Sequence, residues 1–203
     1  MIKNLIFDFG KVLVDYDFDV FFKTVYPDAK RRQAIASILN SKEIQPILDK
    51  EDVPFDIFWE GKMKEFPDFA EEIRYFKDHY PDIISNEVPG MRELLIKLKA
   101  EGFKLYGLSN WCSKIYITMN QYDIFKLLDG RIISSEEKEI KPYPTIYRRL
   151  FEKYNLKPEE CIFTDDRADN IETSKSLGMD GIVFNDAVQY EKELREILKR
   201  CNS

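Results

Sequence analysis

The chain reads as an α/β protein: a doubly wound, Rossmann-like parallel sheet with a helical cap inserted after its first strand. Three observations predict this. Short apolar runs, LIF, LYGL and CIF, each lead into polar residues, as buried strands of a parallel sheet do at their carboxyl ends. Strand and helix patterns alternate from Pro89-Gly90 onward. Between these two regions lies a block, roughly 18–80, with a single glycine and apolar residues at helical spacing.

The opening stretch, IKNLIFDFGKVLVDYD, organises the rest. Leu5, Ile6 and Phe7 are apolar on both faces, which suits a central strand covered by helices on either side. Asp8 then stands at the strand end, where open α/β sheets bind ligands. Two readings of Asp8 stand side by side here, a catalytic carboxylate and a turn cap. In the block that follows, Pro27, Pro46, Pro54, Pro67 and Pro81 divide the pattern into several short helices. The division expected is a hydrolase core at 1–15 and 85–203 and a helical cap at 16–84.

Beyond Pro89-Gly90 the spacing predicts a helix near 91–100 and a buried strand ending at Ser109 and Asn110. A helix near 114–121 and a short strand near 131–134 follow, then a helix starting close to Pro142 with Ile146, Tyr147 and Leu150 on its apolar face. CIFTDD is the next strand, leading into a helix that stops at Leu177-Gly178. A last strand near 181–184 and a closing helix near 189–199 complete the alternation.

Bulk properties exclude several classes. Of the 203 residues, 44% are hydrophobic and 33% charged, as in globular rather than disordered chains. The net charge of −6 is spread with both signs mixed, so no basic face for nucleic acid is expected. No apolar run nears the ~20 residues of a membrane span. Lys3 and Asp8 interrupt the N-terminal run, so no signal peptide is expected and residence is expected to be cytoplasmic. Cys112, Cys161 and Cys201 lack metal-ligand spacing and read as free thiols. The lone His79 sits in a polar, exposed-looking stretch, so chemistry falls to carboxylates, hydroxyls and lysines. Nothing in the sequence bears on oligomeric state.

Three strands therefore deliver Asp8, Ser109-Asn110 and Asp165-Asp166 to one sheet edge, and Lys141 precedes the Pro142 helix. Two carboxylates, a hydroxyl and an ammonium together make a site for phosphate and Mg²⁺, a hard cation held by carboxylates and phosphate oxygens.

These stretches, FDFGKVLVD, LSN, IKPYPTIY and FTDDRADNI, resemble in order and spacing the four motifs of the haloacid dehalogenase-like hydrolase superfamily. Within it the chain looks like the sugar-phosphate phosphatases of the α-glucose-1-phosphate phosphatase type. The resemblance implies that Asp8 is the nucleophile, forming an aspartyl-phosphate, and that Asp8, the Gly10 carbonyl and Asp166 bind Mg²⁺. It implies that Ser109, Asn110 and Lys141 hold the phosphate, with Lys141 also catalytic. Asp165 and Asn170 would then orient those groups. The expected partner is a small phosphorylated metabolite, sugar phosphates foremost.

One departure stands out. The family's phosphatases usually carry an acid/base aspartate two residues after the nucleophile, and here that position is Gly10. General acid–base help is worth ~10²–10⁴-fold in rate. Asp15 or Asp17 as a substitute acid, or a substrate with a good leaving group, would answer the loss. The alternatives are a phospho-ligand-binding protein with a degenerate site and a 2-haloacid dehalogenase, which the intact TDD disfavours. Trp111 reads equally as pocket wall or packing. Phe18, Phe21 and Phe22 are expected in the cap core, Lys30-Arg31-Arg32 on a solvated helix face, and 136–139 in a charged loop.

Overall fold

A computed structural model describes residues 1–201, and the side chain of Cys201 lies outside what is described. Cys112 and Cys161 are free and buried. In chain order the elements are β1 (Asn4–Phe7), β2 (Val14–Tyr16), α1 (Phe18–Lys23), α2 (Ala29–Leu39), α3 (Gln45–Lys50), α4 (Phe55–Glu65) and α5 (Ala70–Asp78). They continue as β3 (Ile84–Glu87), α6 (Met91–Ala100), β4 (Lys104–Ser109), α7 (Ile115–Gln121), β5 (Gly130–Ile133) and α8 (Ser134–Glu137). Last come α9 (Pro144–Tyr154), β6 (Cys161–Asp165), α10 (Ala168–Ser176), β7 (Asp180–Val183) and α11 (Ala187–Cys201).

Five strands form one parallel sheet in the order β5-β4-β1-β6-β7. The most hydrophobic strand is thus the central one, and Leu5, Ile6 and Phe7 are wholly buried. The strand order reverses beside β1, which places a crevice at its carboxyl end. A bond from the Asp8 backbone N–H to the Thr164 carbonyl (2.9 Å) carries the β1–β6 ladder up to that crevice. Gly107 in β4 is required by close approach. A Cβ there would meet the Phe9 ring at 2.3 Å, so glycine lets the residue after Asp8 pack down onto the sheet.

The glycine-poor block is helical, as its pattern predicts, and lies between β2 and β3, which pair antiparallel and bring its two ends together. Its prolines sit at helix entries: Pro46 opens α3, Pro54 caps α4, and Pro67 and Pro81 begin single 3₁₀ turns. Asp17 and Asp28 cap α1 and α2 through their carboxylates.

Three details differ from expectation. Arg32 is buried rather than solvated, because it pairs with Asp19 (2.7 Å) and donates to the carbonyls of Tyr26 and Pro27. Arg31 likewise pairs with buried Glu72, so this cluster ties helices together. Residues 134–137 form a helical turn, and Lys138 donates to the carbonyls of Lys50 and Glu51 at the end of α3. His79 is exposed and stacks on Tyr75. No helix among the described residues is long and apolar enough to cross a membrane.

The centre of the insert is Trp59, wholly buried, with the rings of Phe55, Phe58 and Phe76 packed edge-on around it. Truncating so large a buried ring costs about 3–5 kcal/mol. Trp59→Ala should lower the denaturant midpoint accordingly, and a midpoint unchanged from the parent would mean the insert does not share the cooperative core.

Candidate active site

The crevice above β1 is a cleft walled by strand ends on one side and by the insert on the other. Its empty volume, counted with the open solvent at the mouth, is about 870 Å³. Asp8, Gly10, Ser109, Asn110, Lys141, Asp166 and Asn170 all line it. Asp165 sits directly beneath, fully buried.

Lys141 is the hub. Its Nζ lies 2.8 Å from Asp8 Oδ1 and 2.6 Å from Asp165 Oδ2, with almost no exposure of the lysine side chain. Burial works against the ammonium, yet Asp165 and Asp8 together hold its pKa above the ordinary value. The backbone of Lys141 is clamped as well. Its N–H donates to Asn110 Oδ1 (2.7 Å), and Asn110 Nδ2 donates back to the Lys141 carbonyl (3.0 Å). Asn110 thus spends both side-chain polar atoms on this clamp, while Ser109 Oγ is buried without a partner at the cleft wall.

Asp165 is fixed from three sides. Its Oδ1 accepts from the Arg167 N–H (2.9 Å) and from Asn170 Nδ2 (2.9 Å), and its Oδ2 accepts from Lys141. A chain of contacts therefore runs from Asn170 through Asp165 and Lys141 to Asp8. Asp8, Asp165 and Asp166 each bring a carboxylate oxygen within 4.8 Å of the others. Burial foremost, with the Asp165 and Asp166 charges, pushes Asp8 up to about 6 against the pull of Lys141. Burial and Asp165 also raise Asp166. Three carboxylates around one ammonium leave an excess of negative charge that a divalent cation would offset. Oxygen donors of this hardness fit Mg²⁺, and Asp165, already satisfied, is the least free of the three to bind it.

Asp15 and Asp17 are not brought to the cleft. Asp15 Oδ1 accepts from Lys11 Nζ (2.6 Å) and from the Tyr16 N–H (2.9 Å). Asp17 is exposed and occupied in capping α1. The space beside Gly10 is taken by Tyr16, since a Cβ at that position would stand 3.0 Å from Tyr16 Cε1 and 3.5 Å from Trp111 Cζ3.

Several wall residues escape a reading by motif. Trp111 is buried and lines the cleft, so packing and wall are one role. Phe18 packs against the insert core, its ring 5.9 Å from that of Phe76, and reaches the cleft as well, because it opens α1 right beside Tyr16. Arg167 lines it while pairing with Asp169 (2.7 Å). Asn40, Gln45 and Asp49 come from the insert, where no motif marks them.

A profile of the haloacid dehalogenase-like hydrolases matches residues 2–178. Among curated relatives, flavin mononucleotide hydrolase 1 of Arabidopsis thaliana is 24% identical over 74% of this chain and 58% of its own length. D-ribitol-5-phosphate phosphatase of Bacteroides thetaiotaomicron is 26% identical over 98% of this chain and 99% of its own. The chain spans about half the length of several other curated phosphatases that it matches. Among solved structures, a HAD family enzyme from Bacteroides thetaiotaomicron, in complex with magnesium and inorganic phosphate, shares the fold. Its TM-score is 0.73 at 20% identity, covering 92% of this chain and 96% of that one.

Proposed function

The chain belongs to the haloacid dehalogenase-like hydrolases, and on that premise we propose that it is a Mg²⁺-dependent phosphatase of small phosphorylated metabolites, sugar phosphates foremost. The observation that carries the reading is the Lys141 ammonium held between Asp8 and Asp165 in a cleft that Asp166 also lines.

In this reading Asp8 attacks phosphorus and forms an aspartyl-phosphate. Lys141 and the unpartnered Ser109 hydroxyl meet the phosphoryl oxygens, which gather charge in the transition state. Asn110 and Asp165 keep Lys141 in place, and Asn170 keeps Asp165 in place. Asp8, the Gly10 carbonyl and Asp166 are the residues that would hold Mg²⁺. Bound there, the cation would supply charge neutralisation to the phosphate oxygens. The insert, 16–84, acts as a cap over the core of 1–15 and 85–203, narrowing the mouth and excluding water.

The substrate class draws support from two sources. The insert presents Asn40, Gln45 and Asp49, groups suited to hydroxyls, and a D-ribitol-5-phosphate phosphatase aligns along nearly the whole chain. A dehalogenase reading leaves Asp166 and the excess negative charge without a purpose. Purified protein given a panel of sugar phosphates, nucleotides and 2-haloacids, with Mg²⁺ or with a chelator, tests this. Turnover of sugar phosphates that disappears on chelation is expected. Preference for nucleoside monophosphates would remove the sugar assignment, and halide release without metal would remove the phosphatase one.

A further inference from the structure

Cleaving a phosphate ester leaves an alkoxide that needs a proton, and the residues at the foot of the cleft are poorly placed to give one. Lys141 is committed to two carboxylates. Burial, with the Asp166 and Asp8 charges, drives the Tyr16 phenol far above its ordinary value, making it a weak acid. Tyr16 also fills the space that an acidic side chain at position 10 would require.

We propose that Asp49, on the insert helix α3, is the general acid and general base of this site. The inference rests on the phosphatase reading and adds a catalytic residue to it. Asp49 lines the same cleft as Asp8 and faces the charges of Lys141, Asp8 and Arg167. Among the described residues its carboxylate makes no hydrogen bond or ion pair, unlike those of Asp8, Asp15, Asp17 and Asp165. It is also held firmly from behind. The Asp49 carbonyl accepts from Ser134 Oγ (2.5 Å), which itself accepts from the Trp111 N–H (2.9 Å), next in sequence to Asn110. The end of α3 is bound further by Lys138 to the Lys50 and Glu51 carbonyls, and by Ser113 to the Glu51 carboxylate (2.7 and 2.8 Å). A fixed backbone holds the group in place, and a carboxylate not tied up in an ion pair is left available to exchange a proton with the substrate. Burial above all pushes Asp49 up to about 7, against the pull of Lys141, so both protonation states are populated near neutrality.

The proton balance closes over one turnover. In the first step an Asp8 oxygen bonds to phosphorus, the ester P–O bond breaks, and its electron pair leaves with the alcohol oxygen. That oxygen takes the proton of the Asp49 carboxyl. In the second step water attacks the aspartyl-phosphate, Asp49 takes the proton of the water, and Asp8 departs with the electron pair of its own P–O bond. Inorganic phosphate is released and Asp49 is protonated again.

The test compares alkyl and aryl phosphates in the whole protein with Mg²⁺, for the parent, Asp49→Asn and Asp49→Glu. Asp49→Asn should lose about 10²-fold in kcat/KM on alkyl phosphates and little on 4-nitrophenyl phosphate, whose leaving group needs no proton. With that aryl ester it should release close to one equivalent of nitrophenolate in a burst and then turn over slowly, because water attack lacks its base. The burst amplitude also counts folded sites, and Asp49→Glu should recover part of the alkyl rate. Equal losses on both esters without a burst, or no loss on either, would overturn the assignment of Asp49 while leaving the phosphatase reading intact. A parent inactive on every phosphate ester would overturn both.

Discussion

Asp8→Asn should reduce phosphatase turnover by about 10⁴–10⁶-fold, as removal of catalytic groups that act as one unit does elsewhere. That corresponds to roughly 5–8 kcal/mol of barrier. The loss should reach good and poor leaving groups alike, since every ester must first pass its phosphoryl group to Asp8, and its nearest buried neighbour, Asp165, is bound on both oxygens. The fold should persist. Burial raises Asp8 to about 6 in the folded chain, above its ordinary 3.8. An acid with a raised folded pKa favours the native state below its unfolded pKa. That advantage is lost as pH rises through the window between about 4 and 6. At pH 7 the ionised Asp8 is therefore a burden on the metal-free protein, and the neutral amide relieves it. Thermal unfolding in chelator at pH 7 should show a midpoint at or above the parent's. A variant that keeps comparable turnover removes Asp8 from the nucleophile's role. One that melts well below the parent makes lost activity a matter of folding instead.

What the sequence discloses and what it hides divide along a physical line. Asp8, Ser109, Asp165 and Asp166 stand at or just beyond the ends of buried strands, and a parallel sheet carries such positions to one edge whatever lies between them. Their convergence is therefore legible from periodicity alone. Asp49 is not. It lies on a six-residue helix whose orientation comes from contacts with Ser113, Ser134 and Lys138, more than 60 residues away. Tyr16 is hidden for a related reason, because its ring comes to rest over Gly10 only after the chain turns back at 11–14. Arg32 shows the opposite error. A run of three basic residues looks solvated, yet Arg32 on α2 is drawn in by the Tyr26 and Pro27 carbonyls and by the Asp19 carboxylate of α1.

Lys141→Ala and Asp166→Ala should fail in distinguishable ways, although both side chains line the cleft. Removing the ammonium takes away the group that would meet charge developing on the phosphoryl oxygens, a loss of about 10²–10³-fold for a single such donor. Added Mg²⁺ should not restore it, because Asp8, Gly10 and Asp166, the residues that would hold the cation, are all still present in that variant. Lys141→Ala also strands Asp165, which is wholly buried, and breaking a buried pair in this way costs about 3–5 kcal/mol. The variant should therefore unfold earlier in chelator as well as turn over slowly. Asp166 has no ion-pair partner among the described residues, and burial and the Asp165 charge already work against its ionised form, so Asp166→Ala should unfold no earlier than the parent in chelator. Its defect should appear as a weakened half-saturation for Mg²⁺, with much of the rate recovered as the cation is raised. Titrating Mg²⁺ against rate in both variants, with denaturation in chelator alongside, separates the two roles. Rescue of Lys141→Ala by Mg²⁺, with none for Asp166→Ala, would exchange the assignments.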